Sequence, residues 1–219
     1  GSLFDIIEKS TAINTKVIVV DDGSTDSISV ELFAGISATF RDVILLQHAN
    51  NLGKGAALKT GFSYIQENCV EPTWVVTADA DGQHLPSDIW KIVQAGVISK
   101  TPTIGVRAFD IKVPFRSRFG NSITKFFFNA TRANKINDTQ SGLRGFNSDE
   151  ISSLLDINSS GYAFELDALI YFTKISKVRE IPITTVYEPG NPTSHFHPIL
   201  DSAAIYAVLF RQIFASTLA

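Results

Sequence analysis

The chain has 219 residues, 44% of them hydrophobic and 19% charged, enough apolar surface for one sizeable core and too much for disorder. The net charge of −3 argues against a protein that holds nucleic acid mainly by neutralising phosphates, although local basic clusters could serve a smaller phosphate ligand. A single cysteine, Cys69, excludes an internal disulfide, and a reducing compartment is the simpler reading.

In chain order, "KVIVVD" (16–21) is a short β-branched strand that ends on two adjacent carboxylates, Asp21 and Asp22. Residues 26–40 read as a helix, "DVILLQ" (42–47) as a strand, and 53–68 as a helix opening on glycine-rich sequence. "TWVVTAD" (73–79) is a third strand; "LPSDIWKIVQAGVIS" (85–99) is a helix with Pro86 in its first turn. "TPTIGVR" (101–107) is a fourth strand. Strands separated by helices predict βαβ units and a mostly parallel sheet, and apolar runs without period-two alternation predict strands covered on both faces. Beyond residue 107 the rhythm changes. "FDIKVPFRSRF" reads as a loop, "GNSITKFFFNATRAN" as an aromatic-rich helix, and "KINDTQSGLRGF" as a polar turn leading to a short strand. "SDEISSLLD" and "YAFELDALIYFTKI" read as helices, "VREIPITTVYE" as a long strand and "PGNPTSHFHP" as a turn-rich loop. No apolar run is long enough to span a membrane. The apolar segment from Ala203 reads either as a terminal helix packed on the domain or as an interfacial segment leading into a membrane part.

Three strands end in polar punctuation: "DDGSTD", "QHANNLGKG" and "DADGQH". Ligands of open parallel sheets bind at the carboxyl ends of strands, so these ends should line one crevice. In "DADGQH", Asp79, Asp81 and Gln83 could present oxygens to one hard divalent ion, Mg²⁺ or Mn²⁺. The alternative is an acidic turn capping the next helix; the second Asp pair on a neighbouring strand favours the metal. "NNLGKGAALKTGF" offers Gly53, Lys54 and backbone amides to a diphosphate at a helix N-terminus, or forms an ordinary loop. It matches neither the Walker nor the G-x-G-x-x-G pattern. Arg116, Arg118 and Arg144 form a cluster suited to phosphate, although single arginines are commonly solvated.

With these motifs in order, the chain resembles a family 2 glycosyltransferase of the GT-A fold, in the branch of dolichol-phosphate mannosyltransferases and polyprenyl-phosphate glycosyltransferases. The matching segments are "VVDDGSTD", "NLGKGAALKTGF", "DADGQH", "FRSRFGN", "DTQSGLRGF", "FELDAL" and "SHFHPILDSAAIY". The resemblance implies a single α/β domain, a Rossmann-like mostly parallel sheet flanked by helices. Residues 1–107 would bind the nucleotide-sugar, 108–197 would form the acceptor side, and 198–219 would be an apolar helix leading towards a membrane domain. The family's first strand is expected to lie outside this chain, which opens at what looks like the following helix. The implied reaction is metal-dependent, inverting transfer of a hexose from a UDP- or GDP-sugar to a polyprenyl or dolichyl phosphate, in cell-envelope glycan synthesis at the cytoplasmic face of a membrane. Asp21 and Asp22 would face base and ribose, Gly53 and Lys54 the diphosphate, and Asp79, Asp81 and Gln83 the metal on it. Arg116, Arg118 and Arg144 would grip the acceptor phosphate. Glu165 and Asp167 lie near where relatives place an acidic base; an exposed helix face is the alternative, and Asp138 has the same standing. His195 and His197 read as structural, with ligation or a phosphate contact as the alternative, and His84 as a residue behind the metal ligands or a helix cap.

Rival readings are the same donor with a glycan or protein acceptor, a nucleotidyltransferase, a phosphoacceptor receiver and an inactive nucleotide-sugar sensor.

Overall fold

A computed structural model describes residues 3–12, 15–107 and 135–184. The elements of the first half follow the expected order with slightly tighter bounds. Helix α1 (Leu3–Thr11) is followed by β1 (Ile18–Asp21), α2 (Ser27–Thr39) and β2 (Ile44–Gln47). Then come α3 (Lys54–Asn68), β3 (Trp74–Thr77), α4 (Pro86–Ser99) and β4 (Thr103–Arg107). After residue 134, β5 (Arg144–Asn147), a 3-10 turn (Ser148–Glu150), α5 (Ile151–Leu155), α6 (Gly161–Ile175) and β6 (Arg179–Ile183) complete the described fold. The helix expected in "GNSITKFFFNATRAN", Arg116, Arg118, His195, His197 and the C-terminal apolar segment lie outside the described residues.

β1 and β2 pair in parallel, with Val19 opposite Leu45. A second sheet has the order β3-β5-β4-β6. In it β4 and β6 are parallel, whereas β5 runs antiparallel to both β3 and β4. The α/β class is as expected, and the mixed strand directions refine it. β5 is only four residues long and contains Gly145, so it carries no apolar run from which its direction could be read.

Three apolar clusters hold the layers together. Ile7, Val19 and Ile36 tie α1 and α2 to the first sheet. On one face of the second sheet, Val75, Ile104 and Phe146 meet Phe62, Leu154, Phe164 and Phe172 from α3, α5 and α6. On the other face Ile92 of α4 packs with Leu143 and Ile183. Adjacent residues Val75 and Val76 belong to opposite faces, as strand pleating requires. Helix α3 serves both sheets: Gly61 lies over Val20 of β1, and Phe62 meets Phe146 of β5 edge-on at 5.4 Å.

Close packing of α3 against α6 depends on Gly55. A Cβ there would stand 2.9 Å from both Gly161 N and Phe164 Cβ, inside contact distance. Replacing Gly55 with alanine must therefore push the two helix N-termini apart. We expect Gly55→Ala to destabilise the fold by about 1–3 kcal/mol, the usual cost of overpacking. At roughly 2–4 °C per kcal/mol for a chain of this size, thermal unfolding followed by circular dichroism should resolve the shift.

Candidate functional site

The carboxyl ends of β1, β2 and β3 lead into three polar loops, and the side chains of these loops hold one another. Asp21 is buried and accepts hydrogen bonds from Ser24 N and Gln47 Nε2, each at 2.9 Å. Asp22 accepts from Leu52 N at 2.9 Å and Gly53 N at 2.8 Å, and pairs with His48 Nδ1 at 2.7 Å. The other nitrogen of His48 lies 2.8 Å from Thr60 Oγ1 on α3. Gly23, at φ +75°, lets this loop sit directly on Asn50, where a Cβ would come within 2.4 Å of the backbone. The two adjacent carboxylates that end β1 thus accept from internal donors. Their hydrogen bonds hold the 47–53 loop, beside the crevice where base and ribose are expected.

That loop sets the start of α3. Gly53 is the N-cap, with φ +89°, and Lys54 is the first helical residue. The Lys54 ammonium lies 2.6 Å from Asp79 Oδ1 and 2.9 Å from Glu165 Oε2, bridging the end of β3 and the first turns of α6. The expectation had Lys54 facing a diphosphate and Asp79 facing a metal; here they face each other. Burial pushes the Lys54 ammonium down, but Glu165 and Asp79 overcome this and raise it above the ordinary lysine range. Burial likewise pushes the Asp79 carboxyl up, and Lys54 and His84 overcome it, holding Asp79 well below the usual carboxylate range. His84 is buried, with Nε2 3.6 Å from Asp79 Oδ2, in keeping with a place behind the loop. Gly142 closes the remaining side: a Cβ on it would reach Asp79 Oδ2 at 2.6 Å and Oδ1 at 2.7 Å.

Asp81 is exposed, and its Oδ1 accepts from Gln83 N at 3.0 Å across a turn in which Gly82 has φ +79°. Asp79, Asp81 and Gln83 thus stay together on one loop. Glu165 and Asp167 are both buried, which removes the exposed-helix-face alternative. Two residues apart on a helix, they project about 200° from one another, so they do not share one ligand-facing side.

Arg144 sits differently from expectation. Its guanidinium is buried and donates to the carbonyl oxygens of Ser141, at 2.9 Å, and Glu165, with a longer contact to Thr139 at 3.5 Å. Burial lowers its pKa, and the carboxylates of Glu165, Asp138 and Asp79 oppose that fall. Arg144 therefore clamps the 139–141 turn to α6 rather than presenting its donors to a ligand. Asp138, fully buried, forms a two-pronged pair with Arg107, at 2.6 Å to Nε and 2.9 Å to Nη2. Sequence reading missed Arg107, His48 and the tie from Lys54 to Glu165. The only signal was the position of His48 and Arg107 at strand ends.

Among the described residues no group of three or more His, Cys, Asp or Glu has an arrangement that could hold a metal by itself. No helix among them is long and apolar enough to cross a membrane.

Residues 2–149 match the family described as "Glycosyl transferase family 2", about two thirds of the chain. The chain belongs to that family and is a glycosyltransferase. It is 32% identical, over 189 residues, to a UDP-N-acetylglucosamine–dolichyl-phosphate N-acetylglucosaminyltransferase of Methanococcus voltae, covering 78% of this chain and 74% of that one. It is 31% identical to a dolichyl-phosphate beta-glucosyltransferase of Saccharomyces cerevisiae, covering 77% of this chain and 56% of that one. The crystal structure of mannosyl-3-phosphoglycerate synthase from Rubrobacter xylanophilus has the same GT-A fold. It superposes with a TM-score of 0.68 at 14% identity, over 99% of this chain and 71% of that one.

The loop network makes a prediction separate from catalysis. Asp22→Ala strands two backbone donors and one histidine nitrogen, at about 1–3 kcal/mol for a partly buried unsatisfied group. It should lower thermal stability in the absence of any nucleotide. Unchanged stability by calorimetry would show that the Asp22 network is not holding the loop.

Proposed function

We propose that this chain moves a sugar from a nucleotide-sugar to a polyprenyl or dolichyl phosphate, with inversion at the anomeric carbon and with a divalent metal on the donor diphosphate. The observation that carries the proposal is the meeting of Lys54, Asp79 and Glu165 at the carboxyl ends of strands, beside Asp81 and Gln83. The similarity to transferases named for dolichyl phosphate supports the acceptor class.

The residues fit Mg²⁺ or Mn²⁺. Asp79, Asp81 and Gln83 supply hard oxygen donors on one turn, and a positive charge, the Lys54 ammonium, already rests on Asp79. Two carboxylates and an amide leave room for phosphate and water oxygens, as Mg²⁺ sites commonly do. When bound, the metal stabilises charge on the leaving diphosphate.

The chain's own residues divide the remaining work. Lys54 offers a second positive charge to the diphosphate, and Glu165 keeps that lysine at the donor site. Asp21, Asp22 and His48 act on the nucleotide through the loop they hold. Arg144 positions α6, and with it Glu165, from behind. Arg116 and Arg118 grip the acceptor phosphate. In the transfer, an acceptor phosphate oxygen forms a bond to the anomeric carbon from the face opposite the diphosphate, and the bond from that carbon to the diphosphate breaks. Negative charge passes from the acceptor to the leaving group. The acceptor is already ionised near neutral pH, so positioning and charge compensation dominate and no strong general base is needed. The protein works at the membrane surface where its lipid acceptor resides.

The test is incubation of the protein with UDP- and GDP-sugars, Mn²⁺ and a polyprenyl phosphate, followed by chromatography of the lipid fraction. One donor should yield a lipid-linked sugar and release nucleoside diphosphate. Chelator should abolish the product, and Asp81→Ala should lower kcat by about 100-fold or more. Sugar transfer to a free oligosaccharide or protein but to no lipid phosphate would contradict the acceptor assignment, and pyrophosphate release would contradict the reaction class.

A further inference from the structure

The placement of Lys54 has a consequence for the order in which the site fills. We infer that Lys54 is a built-in counter-cation, occupying Asp79 until a nucleoside diphosphate draws it away, so that metal and nucleotide bind as a mutually reinforcing pair. This rests on the metal and nucleotide reading above.

The Asp79 carboxylate is enclosed on three sides: Lys54 on Oδ1 at 2.6 Å, His84 near Oδ2 at 3.6 Å, and the Gly142 backbone against both oxygens. A divalent ion on the same carboxylate would stand close to the ammonium, a repulsive arrangement in a partly desolvated site. Metal alone must therefore displace Lys54 or bind beside it, and either weakens metal binding.

Lys54 has a reason to stay and a means to leave. It is the first residue of a 15-residue helix, where the positive end of the helix dipole disfavours a cation, and two carboxylates hold it there against that field. Its ammonium also ends a flexible four-carbon stem, so it can turn to a new anion without moving the helix. A diphosphate arriving at this helix N-terminus satisfies both the amide dipoles and the lysine. Once Lys54 pairs with phosphate, Asp79 is available to the metal, and the metal in turn holds the same phosphates. Glu165, the second partner at 2.9 Å, keeps Lys54 within reach in either state.

Coupling between two ligands is reciprocal, so it can be read from binding without any turnover. Free Mn²⁺ is followed by electron paramagnetic resonance with wild type, Lys54→Met and Lys54→Arg, each alone and with saturating UDP or GDP, corrected for the Mn²⁺–nucleotide complex in solution. Circular dichroism confirms that each variant is folded. For wild type, we expect nucleotide to tighten Mn²⁺ binding by about tenfold or more, within the usual range of coupling. Lys54→Met should bind Mn²⁺ alone about tenfold more tightly than wild type does, with the nucleotide effect smaller by the same factor, the remainder being the direct bonds from metal to phosphate; Lys54→Arg, which keeps the charge, should retain weak binding of the metal alone. Folded Lys54→Met that binds Mn²⁺ alone no better than wild type, or that keeps the full nucleotide effect, overturns the inference and leaves the metal reading standing. Absence of Mn²⁺ binding by every protein with both nucleotides overturns the metal reading and the inference together.

Discussion

The rest of this site depends on one ammonium group held between two carboxylates. Lys54, Asp79 and Glu165 come from the start of α3, the end of β3 and the first turns of α6. Two partly desolvated carboxylates brought this close need a cation between them, because each unpaired charge would carry its full desolvation penalty. The surrounding backbone lets that arrangement form. Gly55 brings α3 against α6, and Gly142 leaves room for the Asp79 carboxylate. Neither residue carries charge; each leaves out a Cβ where the cluster needs space. The glycines of "GKG" and "SGLRG" thus serve close approach of one segment to another, at least as much as contact with a ligand.

A supporting layer stands behind the cluster. Asp21, Asp22 and His48 secure the loop that delivers Lys54, and Arg144 binds the carbonyl of Glu165 together with that of Ser141. The Arg107–Asp138 pair ties the end of β4 to the polar turn before β5. Asp21, Asp138 and Arg144 are buried, Asp22, His48 and Arg107 are half-buried, and all of them hydrogen-bond to the protein itself, so they fix where the ligand-facing side chains stand. Ion pairs of this kind can add little net stability, yet breaking one by removing a single partner is costly.

Much of this fold could be read from the sequence. The strands of the first half are short apolar runs between helices, a pattern that parallel, doubly covered strands produce. β5 was harder, since "RGFN" has one large apolar residue and its antiparallel direction is set by packing against β3 and β4. The loops of the site were legible as loops, because Asp, Gly, Asn and Lys gathered at strand ends. Which partner each side chain takes was not. Lys54 and Glu165 meet through helix packing far apart in the chain, and no local spacing encodes that contact. Arg144 looked like a surface phosphate contact because arginine is commonly exposed; its burial follows from the carbonyls that converge on it. For Asp21 and Asp22, the position at the crevice was legible, and the hydrogen bonds to the 47–53 loop were not.

The most direct measurement is the position of the Lys54 ammonium in crystal structures of this protein, determined without ligand and with Mn²⁺ plus the nucleoside diphosphate it binds. The account predicts that Lys54 rests on Asp79 and Glu165 in the first, and that in the second it leaves Asp79 for a phosphate oxygen while Mn²⁺ takes that carboxylate. Lys54 still paired with Asp79 beside a fully bound metal and diphosphate would contradict it.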